Sequence, residues 1–289
     1  MYSERNRKNK TALVTGAASG IGFAFADNLA KQGYDLLIVD IQEDNIKHVA
    51  TQLRDVYQVD VHCLSLDLSR IDAPETIHAF CHENKIEIHI LISNAGRFVF
   101  DSITDIENDL FDAFLQLHLN TPAKLCKLFG AGMKRKHEGY ILTVSSLSAW
   151  MPYPYISLYA STKRFVRTFS RAIHFEFSKY NVGVTTVCPG AVDTGLFNLK
   201  PEWRKLAKRL GVMMTPDTLA RRSLKRMFRK RVTCIPGIIN KICLPLLLIL
   251  PVRMLVFFYE KTRRDVARNV SYKHVETLHA TSHIIEKIW

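Results

Sequence analysis

The chain has 289 residues, 47% of them hydrophobic, enough to bury one large core or two modest ones. Its formal net charge is +13, carried almost entirely by residues 1–10 and the run 200–231, so the rest of the chain is near neutral. No recognisable nucleic-acid motif accompanies the basic run, and nucleic acid is not expected as a partner. The first ten residues are polar and charged, unlike a secretory signal. Six cysteines (63, 81, 126, 188, 234 and 243) show neither a C-x-x-C pair nor metal spacing. Reduced thiols, no metal site and a cytoplasmic location follow as expectations.

In chain order, the apolar pattern alternates between strand and helix. Strands are expected near 11–15, 35–39, 59–66, 88–93, 139–145, 182–188 and 231–235. Helices are expected over 20–32, 42–55, 73–83, 104–136 (broken near Asn120 and Pro122) and 156–179. This order predicts an α/β fold, a doubly wound parallel sheet with ligands at the strand C-termini. The expected boundaries are a basic arm over 1–10, one Rossmann-type domain over 11–237 with a lid at 191–230, and a C-terminal extension over 238–289.

After the first strand comes Thr15-Gly16-Ala17-Ala18-Ser19-Gly20-Ile21-Gly22. Strand, glycine turn and helix build a phosphate site, because backbone N–H groups and the helix N-terminus face an anion. A glycine loop alone is weak evidence, since it can be only a tight turn. The second strand ends at Asp40, 20 residues beyond Gly20, where a carboxylate can accept from both adenosine ribose hydroxyls and repels a 2′-phosphate. No Lys or Arg occupies positions 19, 41 or 42, so NAD is expected over NADP. Further on, Tyr159 and Lys163 lie four residues apart and share a helix face. A fixed cation there is expected to lower the phenol below its free pKa of roughly 10.

Assembled, these residues resemble the short-chain dehydrogenase/reductase family over roughly residues 10 to 237. Residues 15–22 look like its cofactor loop, Asp67-Leu68 like its adenine contact, and Ser93-Asn94-Ala95-Gly96 like its NNAG motif with Ser93 replacing the first Asn. Asn120 lies where the resemblance places a catalytic asparagine, and Ser146 precedes Tyr159 by 13 residues as the family's serine does. Pro189-Gly190 with Val192 and Thr194 is similar to the segment beside the nicotinamide. The resemblance implies Tyr159 as general acid/base and Ser146 as the group that polarises the substrate oxygen. It implies Lys163 on the nicotinamide ribose, and Asn120 holding a water that leads to Lys163. It also implies homodimers or homotetramers.

Phe197, Trp203, Val212, Met213 and Met214 are expected to line an apolar substrate pocket or to pack the lid on the body. The run from Ile242 to Tyr259 is apolar but carries Pro245, Pro251 and Arg253, so an interfacial anchor on an anionic membrane surface is favoured over a spanning helix. Packing on the protein's own body or a partner subunit is the alternative. The expected activity is interconversion of a secondary alcohol and a ketone on a hydrophobic substrate: long-chain acyl, sphingoid, sterol, or an anionic thioester. A catalytically silent dinucleotide-binding protein is the alternative.

Overall fold

The computed structural model describes residues 10–151, 154–194, 205, 207–209, 211–249, 253 and 254. Six strands form the main sheet with a short seventh: β1 (Thr11–Thr15), β2 (Asp35–Asp40), β3 (Val61–Ser65), β4 (Ile88–Ser93), β5 (Gly139–Val144), β6 (Val182–Val187) and β9 (Thr233–Cys234). The order β3-β2-β1-β4-β5-β6-β9 is parallel throughout, so the strand order reverses between β1 and β4. A second, two-stranded sheet pairs β7 (Ala191–Val192) with β8 (Met213–Met214).

Crossover helices cover both faces, as buried parallel strands require. One face packs α1 (Gly20–Ala30) and α2 (Glu43–Tyr57), with α7 (Pro216–Phe228) beside α1. Phe25 and Leu29, four residues apart on α1, are fully buried there. Each contributes about 1.5–3 kcal/mol by burial. The other face packs α3 (Ala73–Glu83), α5 (Thr121–Lys136) and α6 (Ser157–Ser178).

The expected helix over 104–136 is two helices, α4 (Asn108–Leu115) and α5, joined without a gap by a π-turn at Gln116–Asn120. Pro122 sits in the first turn of α5, where its missing N–H costs nothing. The expected lid over 191–230 is corrected at its C-terminal end. Residues 216–228 form α7, an amphipathic helix whose Leu219, Ala220, Leu224 and Met227 are core side chains. Phe197 and Trp203 lie outside the described residues.

The last described helix, α8 (Ile238–Ile249), carries Pro245 in its interior. The chain divides into two units between Leu246 and Leu247, nine residues later than the expected boundary at 237/238. Among the described residues, no helix is long and apolar enough to cross a membrane, and no cluster of His, Cys, Asp and Glu has the arrangement of a metal site.

Candidate active site

The loop after β1 is built for close approach. Gly16 and Gly20 have φ of +67° and +56°, which side chains disfavour. At Gly22 an added Cβ would fall 1.8 Å from the Gly16 carbonyl oxygen, so only glycine fits. Ser19 stands at the N-terminus of α1, exposed and making no side-chain cap bond, with Ile21 half-buried behind it. Asn94 fixes this loop to β4: its Nδ2 donates to the carbonyls of Thr15 at 3.0 Å and Gly16 at 3.2 Å. The backbone N–H groups of Asn94 and Ala95 both donate to Thr15 Oγ1. The carboxylate of Asp40 accepts from the N–H of Ala18 at 3.0 Å and of Gln42 at 3.1 Å. Its charge is thus anchored before any ligand arrives.

Asp67 accepts from the N–H and hydroxyl of Ser69, and the Leu68 carbonyl accepts from Thr121. On the far side of the cleft the Pro189 carbonyl accepts from the Leu147 N–H. Gly190 lies against Asn240, where a Cβ would meet Oδ1 at 2.7 Å. Val192 is buried, and Thr194 reaches the glycine loop, its Cγ2 3.4 Å from a Cβ built on Gly20. The glycine cradle, the free N-terminus of α1 and the anchored Asp40 fit the phosphates and ribose of a dinucleotide.

The adjacent serines divide their work. Ser145, fully buried, donates to the Lys163 carbonyl at 2.7 Å and ties α6 to β5. Ser146 caps a 3₁₀ turn at Leu147–Trp150, accepting from Ser148 N–H, and is the side chain within hydrogen-bonding influence of the Tyr159 phenol. Lys163 is buried, donates to the Val144 carbonyl at 3.1 Å, and lies 5.5 Å from the centre of the Tyr159 ring.

The expected acidity of Tyr159 is corrected. Burial pushes its phenol above the ordinary value, and only the Ser146 contact acts the other way. The same burial pushes Lys163 down to about 8. Desolvation disfavours each charged form, so burial favours the neutral phenol.

Asn120 is also corrected. It is exposed, and its amide donates to Gln116 Oε1 at 2.9 Å within the π-turn rather than facing Lys163. From the same turn, His118 enters the cleft: buried, stacked on Phe114 at 4.2 Å and edge-on to Tyr159 at 6.0 Å. Of the expected pocket residues, Phe197 and Trp203 lie outside the described residues; among the described ones an apolar wall stands beside Tyr159. It is Phe98, 4.9 Å from the Tyr159 ring centre, continued by Phe100 and Tyr155. The alternating Phe98-Val99-Phe100 after Gly96 was the available signal. Met213 and Met214 form β8 and line a cavity of about 370 Å³ with Lys208, Arg222, Thr215 and Ile239.

Residues 10–205 match the short chain dehydrogenase family model. The chain belongs to that family. It is 29% identical over 199 residues to the very-long-chain 3-oxoacyl-CoA reductase of Mus musculus, a match covering 67% of this chain and 63% of that protein. A short-chain dehydrogenase from Sphingobium yanoikuyae, solved in complex with NADPH, superposes with a TM-score of 0.70 at 24% identity, over 91% of this chain and 97% of that one. An alcohol dehydrogenase from Thermococcus sibiricus, complexed with 5-hydroxy-NADP, gives a TM-score of 0.69 at 27% identity, over 80% and 97%.

Proposed function

We propose that the protein is a nicotinamide-dinucleotide-dependent oxidoreductase interconverting a ketone and a secondary alcohol on a long-chain, hydrophobic substrate, with a 3-oxoacyl thioester as the leading case. The carrying observation is the meeting of Ser146, Tyr159 and Lys163 in one cleft beside the aromatic wall of Phe98 and Phe100. When bound, the dinucleotide supplies or accepts the hydride. In the reductive direction Tyr159 gives its phenolic proton to the carbonyl oxygen, and Ser146 holds that oxygen by a hydrogen bond as its charge grows. Lys163 then faces the phenolate left behind and stabilises it.

The substrate class rests on three supports. Phe100 is 54% exposed, an apolar surface left open beside the reactive phenol. The mouse relative carries a very-long-chain 3-oxoacyl-CoA reductase name. The cavity lined by Met213, Met214, Arg222 and Lys208, the last paired with Asp193 at 2.6 Å, joins apolar and basic side chains, and Arg222 suits a phosphate of a thioester carrier. For the cofactor we favour NAD, because the anchored Asp40 carboxylate opposes a 2′-phosphate. The NADPH and 5-hydroxy-NADP named for two structural neighbours argue the other way. Incubating the protein with a C16 3-oxoacyl thioester and each reduced cofactor, and following nicotinamide absorbance, tests both parts. Oxidation of reduced NAD with the thioester is the expected result; turnover confined to short polar ketones ends the lipid reading.

A surface role accompanies this reading. Ile238, Ile242 and Pro245 form one exposed stripe on α8 beside Lys241, suited to the interface of an anionic membrane. Sedimentation with anionic vesicles is expected to carry the protein down; failure to co-sediment removes this role.

A further inference from the structure

His118 is 2% exposed, and its Nδ1 is buried with no hydrogen-bond partner. The other ring nitrogen is occupied: Nε2 lies 3.1 Å from both the N–H and the carbonyl of Arg97, accepting from one or donating to the other according to its tautomer. In either tautomer Nδ1 is stranded, as a bare acceptor or as an N–H without an acceptor. Leaving such an atom dry is costly, and buried polar groups in native proteins are nearly always paired. The cost is incurred beside the reactive groups. A Cβ built on Gly96 would meet His118 Cε1 at 2.9 Å and Lys163 Nζ at 3.6 Å, so the imidazole and the ammonium share one small floor. The Tyr159 ring stands edge-on to the same imidazole.

We propose that His118 is a positioning residue of the active site, whose Nδ1 holds a cleft oxygen next to Lys163 and Tyr159. That oxygen belongs to an ordered water or to a hydroxyl of the bound dinucleotide. Packing alone does not account for a histidine here. Stacking on Phe114 and the edge contact with Tyr159 would be made equally well by an apolar ring. Burial, and after it the charge of Lys163, pushes His118 down to about 2. The imidazole therefore stays neutral at working pH and adds a directed polar contact without a second cation beside Lys163. The π-turn at Gln116–Asn120 is what turns position 118 inward while Asn120 faces solvent. The inference depends on the Tyr159–Lys163 centre and not on the identity of the substrate.

The test compares two substitutions of the same branched shape. His118→Asn keeps a polar atom near the place of Nδ1, and His118→Leu replaces it with a methyl. With a C16 3-oxoacyl thioester, kcat is expected to fall about 10- to 100-fold in H118L and to stay within about 3-fold of wild type in H118N. Asn120→Ala should match wild type. A weaker Kd for NAD in H118L assigns the oxygen to the dinucleotide, and an unchanged Kd with reduced kcat assigns it to water. Equal kcat in H118L and H118N overturns the proposal. Should the wild-type protein not turn over that thioester, only the substrate reading fails. The ¹⁵N resonance of His118 Nδ1, assigned by difference against H118N, then decides. A hydrogen-bonded position in the presence of NAD supports the proposal; a non-bonded position with and without NAD overturns it.

Discussion

The two sides of the cleft solve opposite problems. On the glycine-loop side polar atoms are already paired within the protein: Asp40 with two backbone N–H groups, Asn94 with two carbonyls, Thr15 Oγ1 with two N–H groups. On the Tyr159 side the demands are unmet. A phenol and an ammonium are held against their charged forms, and His118 Nδ1 is stranded. Binding favours a surface that needs no rearrangement, and proton transfer favours groups kept out of their preferred state. The first side is stable by satisfaction; the second holds groups at a cost.

The sharpest way to break this comparison is Tyr159→Phe. It should lower kcat by about 100- to 10,000-fold while the Kd for the dinucleotide changes less than about 3-fold. Comparable losses in both would mean that the sides are not separate, and stopped-flow together with fluorescence titration measures them.

Lys163→Met tests the stored cost. A buried lysine pushed from 10.5 to about 8 opposes folding at neutral pH by an amount on the order of 3 kcal/mol. Both states bind the proton below pH 8, so the penalty is full there. Between about 8 and 10.5 the unfolded chain alone keeps its proton, so wild-type stability rises with pH and the penalty disappears. K163M should therefore be inactive yet more stable than wild type at pH 7, with the gap closing by pH 10.5. Denaturant melts across that range measure it, and a pH-independent difference would sink the idea. Wild-type turnover should fall as pH rises through about 8, when Lys163 loses its charge.

On the satisfied side, Asp40→Ala removes the charge facing a 2′-phosphate and should move the NAD-to-NADP preference by about 10-fold toward NADP. Titrating both cofactors checks it. The smallest effect is expected from Arg222→Glu, which should raise KM for the coenzyme A thioester a few fold, by about 1 kcal/mol, and leave a truncated pantetheine thioester unchanged.

Sequence periodicity sufficed for the sheet because the central parallel strands carry runs of buried apolar residues closed by a turn, as in Leu36–Val39 and Ile90–Ile92. Motif spacing likewise set Gly16, Asp40, Asn94, Ser146 and Gly190 after expected strands, and each stands at or just past the end of β1, β2, β4, β5 or β6. The π-turn defeated the reading at Asn120. One extra residue per turn changes which side chain faces inward, and no residue type announces it. The acidity of Tyr159 was misjudged for a different reason. Spacing of i and i+4 speaks of a neighbouring charge, whereas desolvation depends on the surrounding Phe98 and His118, distant in sequence.

Strand alignment doubles as a catalytic parameter. Val144 pairs with Val187, and the Ser145 N–H donates to the Val187 carbonyl at 2.7 Å. Neighbouring residues of an extended chain point to opposite faces. Slippage of β5 by one position would set Ser145 in the place of Ser146 with Val144 in its own former place, or set Ser146 under α6 with Leu147 facing the phenol. The ladder between β5 and β6 thus fixes which serine stands beside the Tyr159 phenol, the one the proposed mechanism requires.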